Sequence, residues 1–105
     1  MTVKIRQGDS YVIYIELKNS GVPLTPGIVT DVEVCIGDSF HKTYGNGVGY
    51  DDVTQRWYIR PTQQETAAFE PGGYDVEVRI KYTNDVKGAI AGKIIVSPMR
   101  SREVL

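Results

Sequence analysis

YDVEVRIKY, residues 74–82, alternates apolar and charged side chains without a break. Tyr74, Val76, Val78, Ile80 and Tyr82 fall on one side, and Asp75, Glu77, Arg79 and Lys81 on the other. A strict two-residue period can bury all of these apolar groups together only in a β-strand with one core face and one wet face. At helical spacing the same side chains would scatter around the axis. A lone strand of this kind is not stable, so the remainder of the chain must supply partners.

It offers several. VKIR (3–6) is a short alternating strand ended by a turn at QGDS. YVIYIELK (11–18) places Tyr11, Ile13, Ile15 and Leu17 on one face and Val12, Tyr14, Glu16 and Lys18 on the other. NSGVPLTPG, with two prolines, reads as a loop. IVTDVEVCIG (28–37) points Ile28, Val32, Val34 and Ile36 inward, with Asp31 and Glu33 outward. FHKTY (40–44) is a weaker strand, and GNGVG after it reads as a tight hairpin turn at Asn46-Gly47, since both residues tolerate positive φ. RWYIR (56–60) and AIAGKIIVS (89–97) complete the set, the latter with Ile90, Ile94 and Val96 inward.

Between residues 60 and 74 the pattern changes. Thr62 and Glu65 have the spacing of a capping box, in which each side chain satisfies the other's free backbone amide. QQETAAF then contains helix formers until Pro71-Gly72-Gly73 stops it. So short a helix needs packing to persist, for which Ala68 and Phe69 are the candidates. The reading is all-β: a single immunoglobulin-like β-sandwich of about seven antiparallel strands over residues 1–98, with one short helical crossover near residues 62–69 and a tail at 99–105. In such sandwiches a tyrosine at the corner before the sixth strand bonds back to upstream backbone, and Tyr74 has that place.

Composition narrows the function classes. The 105 residues include 12 Lys and Arg against 13 Asp and Glu, a net charge of −1, which offers no electrostatic footprint for nucleic acid. No apolar run is long enough to span a bilayer, and the first residues contain no apolar core of a secretion signal. Cys35 is the only cysteine, which excludes an internal disulfide.

The order VKIRQGDSYVIYIEL, PLTPGIVTDVEVCIG, RWYIRPTQQETAAF, PGGYDVEVRIKY and the ending SREVL resembles small structural proteins encoded by tailed bacteriophages and prophages of Gram-positive gut bacteria. The likeness covers nearly the whole chain. More loosely, the chain is similar to the immunoglobulin-like domain at the amino end of phage baseplate upper proteins, which share a GD turn after strand one and a T-x-x-E-T crossover before a G-x-Y strand. What the resemblance implies is a tail or baseplate module with no enzymatic activity and no cofactor. It would be made in the host cytoplasm and assembled into the particle, with other virion proteins or a second copy as partners.

Candidate sites follow from the strand faces. With Ile13 and Ile15 inward, Val12 and Tyr14 point out, and pairing of this strand with RWYIR would bring Tyr58 and Arg60 beside them. Tyr, Val and Arg are residues of an interface core, and this face is the first candidate for protein contact. The second is the tail, where Met99, Arg100, Val104 and Leu105 would add to a neighbour's sheet edge. Tyr44 and Tyr50 flank a loop end and would stack on sugars in a cell-wall-binding alternative. A further alternative is a factor that binds and inhibits a host defence component. For metal, Asp51-Asp52, with Asp38, is the set weighed for calcium, against the reading of solvated turn formers. His41 and Cys35 would form a catalytic pair only if the fold joined them, and nothing in the sequence is read as doing so.

Overall fold

The computed structural model describes residues 1–99. Strands β1 (Thr2–Arg6), β2 (Ile13–Ile15), β5 (Asp31–Ile36), β6 (Phe40–Tyr44), β7 (Gly47–Asp51), β8 (Arg56–Ile59), β9 (Gly72–Lys81) and β10 (Val86–Ser97) form one sheet in the order β1-β10-β9-β5-β6-β7-β8-β2. Two further short strands, β3 (Lys18–Asn19) and β4 (Val22–Pro23), pair in the loop expected to be irregular. A single helix, α1 (Gln63–Ala67), precedes β9. The fold is therefore all-β. The sheet curls nearly into a barrel, with its edge strands β1 and β2 consecutive in the chain.

One continuous core fills the inside. Val32, Val34, Trp57, Ile59 and Val76 are at 0% exposure, and Ile15, Ile36, Val78 and Ile94 at 1%. The alternation in 74–82 is realised by β9, which lies between β5 and β10 and buries Val76, Val78 and Ile80. The capping box is also present. The Glu65 amide donates to Thr62 Oγ1 at 3.2 Å and the Thr62 amide donates to Glu65 Oε1 at 3.0 Å. Tyr74 donates its hydroxyl to the Glu70 carbonyl at 2.6 Å, the corner bond expected of it.

Several expectations are corrected. Not all strands are antiparallel: β1 runs parallel to β10, from Thr2↔Lys93 to Arg6↔Ser97, because nearly the whole chain forms the crossover between them. The Asn46-Gly47 hairpin is not formed. Gly45 and Gly47 carry the positive φ values, and the chain loops through Gly45 and Asn46 without a net reversal, so that Thr43–Tyr44 and Gly47–Val48 pair in the parallel sense. The segment GVGYD, read as turn and loop, is strand β7.

Ile28 is exposed and Val29 is buried in its place, since a turn closed by Ile28 and Val29 amides on the Thr25 carbonyl rotates the chain before β5 begins. Ile90 is 62% exposed. A bulge between Ile90 and Gly92 reverses the alternation of β10, so Ile90 sits beside Glu77 on the outer face while Ile94 and Val96 remain inside. Helix α1 is held by Phe69 and by Thr66, which is 0% exposed, and not by Ala68, which faces out.

Candidate functional site

The outer face of β2 and β8 is assembled as the strand faces imply. Tyr14 lies directly opposite Tyr58, flanked by the Ile13↔Ile59 and Ile15↔Trp57 pairs whose side chains enter the core. The two tyrosine rings meet edge to face with centroids 6.1 Å apart. The Arg56 guanidinium stands over the Tyr14 ring at 4.0 Å and the Arg60 guanidinium over Tyr58 at 5.3 Å. Arg56 thus joins the four residues expected here. The alternation that turns Tyr58 and Arg60 outward turns Arg56 outward too, but its place over Tyr14 depends on the cross-strand register. Tyr14 and Val12 remain exposed and Tyr58 half-buried, so cation–π stacking fixes the Tyr14 ring without hiding it.

Beneath Tyr58 lies Gly49, its register partner on β7. A Cβ at Gly49 would overlap the Tyr58 ring, so the ring lies flat only because residue 49 has no side chain. Gly49→Ala is expected to lift the ring at a cost of about 1–2 kcal/mol, read as a lowered urea midpoint. A groove of about 390 Å³ continues from this point past Lys42, Thr62 and Glu65. There Lys42 Nζ is 3.0 Å from Glu65 Oε2, tying β6 to the helix cap. Burial acts to raise the Glu65 carboxyl, but hydrogen bonds from the Thr62 amide and Lys42, with the Lys42 charge, outweigh it and hold the group below its ordinary value.

The tail candidate divides. Met99 is held by its own domain: its amide donates to Gln7 Oε1 at 3.2 Å and its side chain packs at Gly8. Arg100, Val104 and Leu105 lie outside the described residues. Tyr44 and Tyr50 both pack on Trp57, with centroids 5.0 and 4.9 Å away, which commits one side of each ring to the protein. Asp51 holds its own turn, accepting from the Val53 amide and the Thr54 hydroxyl at 3.0 and 2.9 Å. Asp38 and Asp52 do not gather with it around a common point among the described residues.

Cys35 and His41, expected to be apart, are directly paired across β5 and β6. Glu33 lies two residues from Cys35 on the same outer face. His41 Nε2 donates to Glu33 Oε2 at 2.8 Å, and the Cys35 thiol donates to Glu33 Oε1 at 3.7 Å. The His41 hydrogen bond does most to lower the Glu33 carboxyl, against some desolvation, and the charges of His41 and Arg79 assist. Burial pushes the Cys35 thiol above its ordinary value, and the adjacent Glu33 carboxylate adds to that. Nucleophilic cysteines are activated in the opposite direction, by lowering. In this arrangement the carboxylate, not the imidazole, receives the thiol hydrogen bond.

Comparison with protein-family models, with curated proteins and with solved structures finds no match to the chain. No described helix is long and apolar enough to cross a membrane.

Proposed function

We propose that this chain is a non-enzymatic structural or assembly module of a phage particle, of its tail or baseplate, that works by docking the β2–β8 face against another virion protein or a second copy. The observation carrying this reading is the pair of exposed Tyr14 and half-buried Tyr58 on the outer face, clamped by Arg56 and Arg60 on a rigid strand pair. Tyrosine and arginine dominate interface hot spots, and rings already fixed in place lose little entropy on docking. A footprint of roughly 800 Å² on each side makes a stable joint.

The finer fold assignment belongs to the same proposal. β6 and β7 share only the pairs Thr43↔Gly47 and Tyr44↔Val48, which makes that joint a corner. Folding there would set β1-β10-β9-β5-β6 against β7-β8-β2 as the two layers of an immunoglobulin-like sandwich. The Tyr74–Glu70 corner bond supports this assignment. The sequence resemblance to phage tail proteins supplies the setting.

The test is the double variant Tyr14→Ser/Tyr58→Ser. Since both side chains are on the outside, the melting temperature should fall by only a few degrees, consistent with loss of an edge-to-face pair of about 1 kcal/mol. Self-association by light scattering, or capture of co-expressed tail proteins, should be abolished. Assembly at the unaltered level by a folded double variant would exclude this face as the joint.

A further inference from the structure

We propose that Glu33, Cys35 and His41 form a binding site for a divalent metal ion of the zinc class, with three protein ligands and a fourth position open to solvent. The proposal is carried by different strands from the docking face and does not depend on it.

The geometry comes first. One carboxylate oxygen, the thiol sulfur and one imidazole nitrogen all lie within 4.8 Å of one another. A tetrahedral ion with bonds of about 2.0–2.3 Å separates its donors by about 3.3–3.8 Å. Cys35 Sγ lies 3.7 Å from Glu33 Oε1, already in that range, and His41 Nε2 lies 2.8 Å from the other oxygen, Oε2, so a turn of the carboxylate presents one oxygen to both partners as the ion enters. Rotation about side-chain bonds supplies the remaining ångström.

The scaffold is stiff. Cys35 and His41 are register partners, and Val34 and Ile36 on either side of Cys35 are sealed in the core. Two ligands at i and i+2 on one strand and a third directly across from it require no loop to fold around the ion. The ligands belong to a preformed surface, so little ordering entropy opposes binding.

The donor set selects the ion. A thiolate and an imidazole with a single carboxylate suit zinc and its borderline neighbours, whereas calcium and magnesium take oxygen ligands. The charges also match. Thiolate and carboxylate together balance a divalent cation, and Glu77, the register partner of Cys35 on β9, adds negative potential from the far side. The opposing group is Arg79, whose guanidinium lies 3.8 Å from Glu33 and whose side chain is 63% exposed, leaving it room to turn into solvent. As the ion enters, the Cys35 S–H bond breaks and its proton passes to water, the His41 Nε2 proton is also given up to water with Nδ1 carrying the proton of the neutral ring, and the His41–Glu33 hydrogen bond is exchanged for two metal–ligand bonds.

The chain contains one cysteine and one histidine, which makes the signal assignable. The experiment takes the untagged full chain, stripped with chelator, and titrates it with Co²⁺. A sulfur-to-cobalt charge-transfer absorption should rise to one equivalent, disappear when Zn²⁺ displaces the cobalt, and accompany a higher melting temperature. Cys35→Ser should remove the band, and His41→Ala should weaken binding about ten-fold or more, the loss that even outer-sphere changes produce. Independently of any variant, Zn²⁺ should slow alkylation of the Cys35 thiol in the unaltered protein. Absence of the band at excess cobalt, a thermal shift that survives in both variants, or unprotected alkylation would each overturn the site.

Discussion

Trp57→Ala is expected to destabilise the protein by about 4 kcal/mol, the range for removing a fully enclosed indole from a core. Trp57 is 0% exposed and sits where β7, β8 and the β3–β4 hairpin meet. Its ring is packed edge-on against Tyr44 and tilted against Tyr50, and its Nε1–H donates to the Leu24 carbonyl at 2.9 Å. Alanine would leave a cavity, end both aromatic contacts and orphan that carbonyl, the last costing about 1–3 kcal/mol by itself. The Leu24 amide in turn bonds the Leu17 carbonyl, so the 18–23 hairpin loses its anchor to the core. For a domain whose whole stability is of the order of 5–15 kcal/mol, the variant would be marginal. Urea unfolding measures it, with an unchanged slope showing that the denatured state is unaffected. Trp57→Phe keeps much of the volume and loses only the donor, so it should cost less than half as much. A midpoint for Trp57→Ala within about 1 kcal/mol of the parent would mean that this corner is not closely packed.

What could be read in advance was whatever depends on near neighbours in the chain. The faces of 74–82, the Thr62–Glu65 box and the outward direction of Tyr14 and Tyr58 follow from periodicity and from capping chemistry. What escaped depended on insertions that shift the period. The bulge at Ala91 turned Ile90 out, and the turn on Thr25 exchanged Ile28 for Val29. Strand β7 was hidden because two of its outer positions, 47 and 49, are glycines, which erase most of the polar half of the alternation.

The Glu33–Cys35–His41 cluster had a signal that went unused. Cys35 and His41 are equidistant from Asp38, so a hairpin with the loop at 37–39 must set them opposite each other, as Ile36↔Phe40 and Glu33↔Thr43 show. Reading each strand separately could not find a site that exists only across two. The same holds for Gly49 under Tyr58, where only cross-strand register reveals why glycine is needed.

Thr66→Val is the second substitution with a large expected effect, about 3 kcal/mol, although it changes neither shape nor size appreciably. Among the described residues Thr66 is the only polar one that is fully enclosed. Its hydroxyl donates to the Asp9 carbonyl at 2.7 Å and accepts from the Gly8 amide at 3.0 Å, so one oxygen fastens α1 to the loop between β1 and β2. Gln7 reinforces the joint, donating to the Phe69 carbonyl at 2.6 Å. Valine would fill the space and leave the Gly8 amide and the Asp9 carbonyl without their partner at a half-buried joint, together costing about 3 kcal/mol. Thr66→Ser makes the complementary change, keeping the hydroxyl and losing a methyl, and should cost about 1 kcal/mol. The ranking is the decisive quantity, because packing and hydrogen bonding predict opposite orders. Urea midpoints for the pair give it, and faster amide hydrogen exchange at Gly8 in the valine variant would locate the loss. If valine proves as stable as serine, the joint between the two sheet edges is held by apolar contact, and the polar hub has no energetic role.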